Sequence, residues 1–222
     1  MRSVVFDLDG TLADTSADLL AAANACFTDM GLAAPLSAAD AITAFAGGRA
    51  MLRLGSDRLA LGWDEAAITT RYERLLEVYA EVIVNETRLY PGAVAAVERL
   101  RAEGIAAAVC TNKPVDLADV LLRRLGVRDL FAVVVGAGSL AVRKPDPAPL
   151  HHTLALMGGD RRRTVLIGDT ITDRETGRNA GIPVTLVTFG PEGADVARHA
   201  PEALLDHYDD LDRIVAPFIG RP

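Results

Sequence analysis

The chain predicts an α/β fold: a parallel sheet core with helices on both faces, interrupted near its start by an inserted block of helices. Three observations carry that reading. From Tyr90 onward short apolar runs alternate with helical stretches, the pattern of a parallel sheet covered on both faces. Residues 15–85 read instead as one helix after another, with no clear strand. Ahead of them the apolar run Val4 to Leu8 enters Asp7-Leu8-Asp9 and stops at Gly10, as a buried strand ending in a turn would.

The elements follow in order. Ser16 to Met30 is a helix on the spacing of Leu20, Ala23, Phe27 and Met30, and Gly31 is placed to end it. Leu36 to Ile42 is a short helical stretch with Ser37 and Asp40 near its start, and Phe45 to Arg49 is a loop or broken turn. Ala50 to Leu61 and Glu65 to Val84 are helical again, the latter with Ile68, Tyr72, Leu75, Leu76 and Tyr79 as its apolar stripe. Pro91-Gly92 opens a helix to Ala102, closed by Gly104. Strands are expected at Ile105 to Cys110, Leu130 to Val135, Val165 to Ile167 and Pro183 to Val187. Helices between and after them run over Val115 to Leu125, Pro147 to Met157, Asp173 to Ala180 and Leu211 to Val215. The core is thus assigned to residues 1–14 and 86–222 and the insertion to 15–85. The insertion belongs above the carboxyl ends of the strands, where such sheets bind ligands.

Composition narrows the function. A chain of 222 residues can bury one core and a small appended unit. A net charge of −7 gives a nucleic-acid partner no electrostatic support, and Arg161-Arg162-Arg163 reads as a solvated turn. Cys26 and Cys110 make neither a disulfide framework nor a zinc site. No apolar run approaches the roughly 18 residues of a membrane span, and no signal-peptide pattern stands at the start. A soluble, cytoplasmic protein without a membrane partner, monomeric or homodimeric, is expected. Of its 23 basic residues only Lys113 and Lys144 are lysines, and each precedes a proline. An ammonium is a compact point charge that the planar arginine fork does not replace.

Polar residues gather at four strand ends: Asp7 and Asp9, Thr111-Asn112-Lys113, Lys144-Pro145-Asp146, and Gly168-Asp169 through Asp173. Singly, each has an ordinary explanation as a cap, turn or surface charge. Side chains alternate along a strand, so Asp7 and Asp9 start out pointing the same way. Crowded carboxylates call for a cation, a proton or both, an arrangement suited to metal-assisted phosphoryl transfer.

Taken together and in this order, the four segments resemble the motifs of the haloacid dehalogenase superfamily of aspartate-nucleophile phosphohydrolases. The resemblance covers the whole chain. It implies a Rossmann-like core with a small α-helical cap domain at 15–85. It also implies Asp7 as nucleophile, Asp9 as general acid and base, Thr111 on a phosphoryl oxygen helped by Asn112, and Lys144 as the charge neutraliser. Mg²⁺ would be held by Asp7, the backbone carbonyl of Asp9 and Asp169, with Asp173 nearby, directly or through water. Dehalogenases of the superfamily typically lack the second aspartate, and phosphonatases need a cap lysine, which residues 15–85 do not contain. Asp14-Thr15, Gly47-Gly48-Arg49 and Thr111-Asn112-Lys113-Pro114 are similar to phosphoglycolate phosphatases. By that likeness Gly48 permits close backbone approach and Arg49 pairs with the carboxylate of a small phosphorylated metabolite such as 2-phosphoglycolate. The run Arg174 to Gly181 departs from the alanine-rich helix start usual in relatives. The rival readings are a sugar-phosphate mutase of the β-phosphoglucomutase kind, a pyrophosphatase, and a receiver-like phospho-aspartate switch.

Overall fold

The structure, a computed structural model, describes residues 1–220. The chain opens with β1 (Ser3–Phe6) and the short β2 (Ala13–Asp14). Four helices follow, α1 (Ser16–Thr28), α2 (Ala41–Phe45), α3 (Gly48–Arg58) and α4 (Glu65–Val82), then the short β3 (Arg88–Leu89). After them come α5 (Ala93–Ala102), β4 (Ala106–Pro114), α6 (Val115–Arg124), β5 (Val133–Ala137) and α7 (Ala148–Met157). The chain continues through β6 (Thr164–Gly168), α8 (Ile171–Ala180), β7 (Val184–Val187), β8 (Ala203–Leu205) and α9 (Leu211–Ile219). Two compact units result: Met1–Ala13 with the chain from Leu89 onward, and Asp14–Arg88.

The first unit is built on a six-stranded sheet of order β5-β4-β1-β6-β7-β8, with every pairing parallel. Each residue of β1, β6 and β7 is buried, which is why these strands read as unbroken apolar runs rather than as alternation. Val5, Cys110, Leu166 and Leu186 pack with Leu150 and Leu154 of α7 and Ala180 of α8, while α5 and α9 pack on each other, α5 also on β4 and α9 on β6. The chain runs from β1 through β4 to β5 in one direction and restarts at β6 on the other side of β1. The reversal between β1 and β6 is a topological switch point, where the loops at the carboxyl ends part and leave a crevice.

In the second unit Ile68, Leu75 and Tyr79 of α4 are buried with Phe27, Met51 and Leu52. Phe27 stacks on Trp63 at 4.8 Å, and the Arg71 guanidinium lies 4.7 Å from the same indole. Buried Asp18, in the first turn of α1, accepts the backbone N–H groups of Glu86 and Thr87 and the Thr87 hydroxyl. That carboxylate fixes the segment that follows α4 to the start of α1. No helix among the described residues is long and apolar enough to cross a membrane.

The structure corrects several expected boundaries. β1 stops at Phe6 rather than Leu8. A 3-10 turn at Arg128–Leu130 delays β5. α1 ends before Met30, which is 48% exposed rather than part of the stripe. β8 was not expected. Ala203–Leu205 has no strand signature, and its pairing with β7 decides it.

Candidate active site

Three neighbouring strands bring the site together. Phe6 pairs with Val109 of β4 on one side and with Ile167 of β6 on the other, and the Asp7 amide donates to the Ile167 carbonyl at 2.8 Å. Asp7 is therefore level with the end of β6, where Gly168 leads into Asp169. A side chain at Gly168 would collide with Asp173, so the strand must end in glycine. The first turn of α8 then folds Asp173 back: its Oδ2 accepts from the Asp169 and Thr170 amides at 3.2 Å and from the Thr170 hydroxyl at 3.0 Å. Asp7, Asp169 and Asp173 can each place one carboxylate oxygen within 4.8 Å of the others.

Lys144, in the loop between β5 and α7, enters this cluster almost fully buried. Its Nζ donates to Asp173 Oδ1 at 2.6 Å and lies 3.1 Å from Asp7 Oδ2. Asn112, read as a substrate residue, donates its amide to the Lys144 carbonyl at 2.9 Å and so braces that loop. Thr111 is buried near the end of β4, and its hydroxyl accepts the Lys113 amide at 3.2 Å.

Asp9 goes elsewhere. Because β1 ends at Phe6, Asp9 lies in the turn in which the Leu8 carbonyl accepts the amides of Thr11, Leu12 and Ala13. The alternation expected of a longer strand is lost, and Asp9 does not share the cluster of Asp7. Its carboxylate meets Lys113 Nζ, at 2.9 Å from Oδ1 and 3.3 Å from Oδ2. The two lysines of the chain thus serve different carboxylates.

A family model for haloacid dehalogenase-like hydrolases matches residues 1–181. The chain belongs to that family. Among curated relatives, a phosphoglycolate phosphatase of Mesorhizobium japonicum is 36% identical over 208 residues, covering 94% of this chain and 92% of the relative. One of Rhodospirillum rubrum is 37% identical over 216 residues, covering 95% and 89%. A solved structure from Haemophilus somnus, described as a predicted phosphoglycolate phosphatase, superposes with a TM-score of 0.85 at 26% identity, covering 96% of this chain and 97% of that one.

The electrostatics suit a haloacid dehalogenase-like hydrolase that takes up a cation. Burial pushes the Asp7 carboxyl up to about 6, against the pull of Lys144, with Asp173 and Asp9 adding to the rise. Burial and the charges of Asp173 and Asp7 hold Asp169 well above the carboxylate range. Burial works against the Lys144 ammonium, but Asp173 and Asp7 outweigh it and keep the group charged. With all four carboxylates ionised, as a bound cation would favour, they would outnumber the two ammonium groups by two charges.

The donor set fits a hard divalent cation. Asp169 Oδ1 accepts from the Thr11 hydroxyl at 2.8 Å, while its Oδ2 is buried with no partner, an orphan that a cation would satisfy. Gly10, at φ +79°, keeps clear the space beside that oxygen, into which its own Cβ would intrude. Both oxygens of Asp173 are already bonded within the protein.

Sequence reading missed two residues here. Thr11 lies inside the first motif, but nothing in its type showed that it would hold Asp169. Lys113 carried a signal, the scarcity of lysine, but it suggested an ammonium on a phosphate oxygen, whereas the structure pairs Lys113 with Asp9. The departing segment stays outside the carboxylate cluster: Arg174 binds Glu202 and the Ala200 carbonyl, and Arg178 is 66% exposed. In the helical unit Arg49 donates to Thr69 at 3.1 Å and lies 5.1 Å from the Tyr72 ring centre. Gly48 opens α3, and a Cβ there would press on Tyr72 at 2.8 Å.

Proposed function

We propose that the chain is a Mg²⁺-dependent phosphomonoesterase that works through an aspartyl-phosphate on Asp7, with 2-phosphoglycolate as its substrate. The observation that carries the reading is the carboxylate of Asp7, held between the Lys144 ammonium and the acidic pair Asp169 and Asp173. Phosphoryl transfer asks for such positioning and charge neutralisation. Asp7 attacks phosphorus and the ester P–O bond breaks. The leaving alkoxide takes a proton from the Asp9 carboxyl. Water then attacks the aspartyl-phosphate and gives a proton to the Asp9 carboxylate. The P–O bond to Asp7 breaks, releasing inorganic phosphate and the Asp7 carboxylate. Asp7, Asp169 and the Asp9 carbonyl, with Asp173 nearby, would hold Mg²⁺, which would supply charge neutralisation to the phosphoryl group. Thr111 donates to a phosphoryl oxygen and Lys144 offsets its charge.

The substrate assignment is supported by the names of the relatives and by an arginine suited to a carboxylate. In this reading the helical unit acts as the cap that selects the leaving group, with Gly48 allowing close backbone approach and Arg49 exchanging its Thr69 bond for the substrate carboxylate. Mg²⁺-dependent phosphate release across 2-phosphoglycolate, hexose phosphates, nucleotides and pyrophosphate tests it. A clear kcat/KM preference for 2-phosphoglycolate is expected. A preference for pyrophosphate or a hexose phosphate overturns the substrate, and no release from any of them overturns the activity.

A further inference from the structure

We propose that Lys113 is a positioning residue that aims the Asp9 carboxylate for proton exchange; the inference rests on the role given to Asp9 above. Asp9 sits in a turn beyond the end of β1 with 18% of its side chain exposed, whereas Lys113 sits near the end of β4 with 3% exposed. The Lys113 ammonium reaches both oxygens, 2.9 Å from Oδ1 and 3.3 Å from Oδ2, and so anchors the carboxylate end of the Asp9 side chain to one point. A turn residue is thereby tied to a strand 104 positions away along the chain.

Proton transfer in a transition state is sensitive to aim, and a misplacement of about 1 Å can cost on the order of 100-fold. The residue type fits the task. All but two basic residues here are arginines, and the ammonium at this buried position is a single point donor where a guanidinium would need more room. The backbone of Lys113 is fixed as well, by its amide's bond to the Thr111 hydroxyl. Lys144 serves Asp7 and Asp173, so each lysine has a carboxylate task of its own.

The test compares Lys113→Met, Lys113→Arg, Asp9→Asn and the double variant K113M/D9N in the full chain with Mg²⁺. Phenyl phosphate, a poor leaving group, and p-nitrophenyl phosphate, a good one, are the substrates, and inorganic phosphate is the inhibitor. Lys113→Met is expected to lower kcat on phenyl phosphate about 100-fold and on p-nitrophenyl phosphate less, with phosphate inhibition unchanged. On the Asp9→Asn background it should add less than about threefold, because the two residues act as one unit. Lys113→Arg should fall between wild type and Lys113→Met, again without a change in phosphate inhibition, and carries the comparison if the methionine variant does not fold. Phosphate inhibition weakened in step with kcat in either variant, or losses that multiply in the double variant, would overturn the proposal and put Lys113 on the phosphoryl group itself. Full turnover of phenyl phosphate by Asp9→Asn would instead overturn the role of Asp9.

Discussion

Replacing Asp7 by asparagine should stabilise the metal-free protein at neutral pH while abolishing turnover. Asp7 is held up at about 6, chiefly by burial, and that position already includes the attraction of Lys144. An acid whose folded pKa exceeds its unfolded value of 3.8 costs the fold stability once it ionises. At 1.36 kcal/mol per pKa unit the cost is on the order of 2–3 kcal/mol above pH 6. Asparagine keeps an acceptor for the Leu8 amide and carries no charge, and Lys144 retains Asp173. For a chain of this length each kcal/mol moves Tm by about 2–4 °C, so Asp7→Asn should melt roughly 5 °C higher than wild type in EDTA at pH 7.5. The gain is present above pH 6, shrinks as pH falls from about 6 to 4, and is absent below, where Asp7 is protonated in both states. Mg²⁺ at about 100 times its Kd should stabilise wild type by about 2.7 kcal/mol and the variant by less. Parallel thermal melts across pH, with and without Mg²⁺, are the assay. A lower Tm for the variant in EDTA, or a difference that ignores pH, would refute the reasoning.

Three further outcomes follow from particular contacts. Arg58 donates to both oxygens of Asp40 and, with the Ser37 amide, holds its pKa at about 2. The stabilisation this represents is complete above the unfolded value of 3.8 and is lost as pH falls toward 2; the Tm difference between wild type and Asp40→Asn should therefore shrink over that window, and a constant difference contradicts it. Gly10→Ala places a Cβ against Asp169 at a positive φ, so it should cost about 1–2 kcal/mol of stability from the backbone alone and weaken the Mg²⁺-induced rise in Tm, whereas an undiminished rise would take Asp169 Oδ2 out of the metal site. Arg49→Ala should raise KM for carboxylated phosphates about tenfold or more and leave a neutral aryl phosphate unaffected. Equal effects on both would confine Arg49 to its contacts with Thr69 and Tyr72.

What could be read ahead of the structure was whatever local chemistry fixes. Val4-Val5-Phe6 and Val165 to Ile167 are buried on both faces, so their apolar runs marked the central strands without ambiguity. The alternation of strands and helices after Tyr90 then put Asp7, Asp169 and Lys144 at the carboxyl end of one sheet. What could not be read depended on distant partners. β8 exists because β7 offers an edge, and the division of the carboxylates between Lys144 and Lys113 follows from β1 ending two residues early. The bond from Thr11 to Asp169 spans 158 positions, and no local spacing announces a partner that far along the chain.

The central claim is that phosphate passes through Asp7. With p-nitrophenyl phosphate, whose leaving group needs no proton from Asp9, Asp9→Asn should still form the aspartyl-phosphate but hydrolyse it slowly, so that it accumulates during turnover. Acid quenching followed by borohydride reduction converts that acyl phosphate to an alcohol, and mass spectrometry of the peptide spanning Phe6 to Leu12 reads it. Reduction at Asp7 that requires both substrate and Mg²⁺ is the predicted result. Phosphate release with Asp7 unmodified, or a label on another carboxylate, would contradict the account.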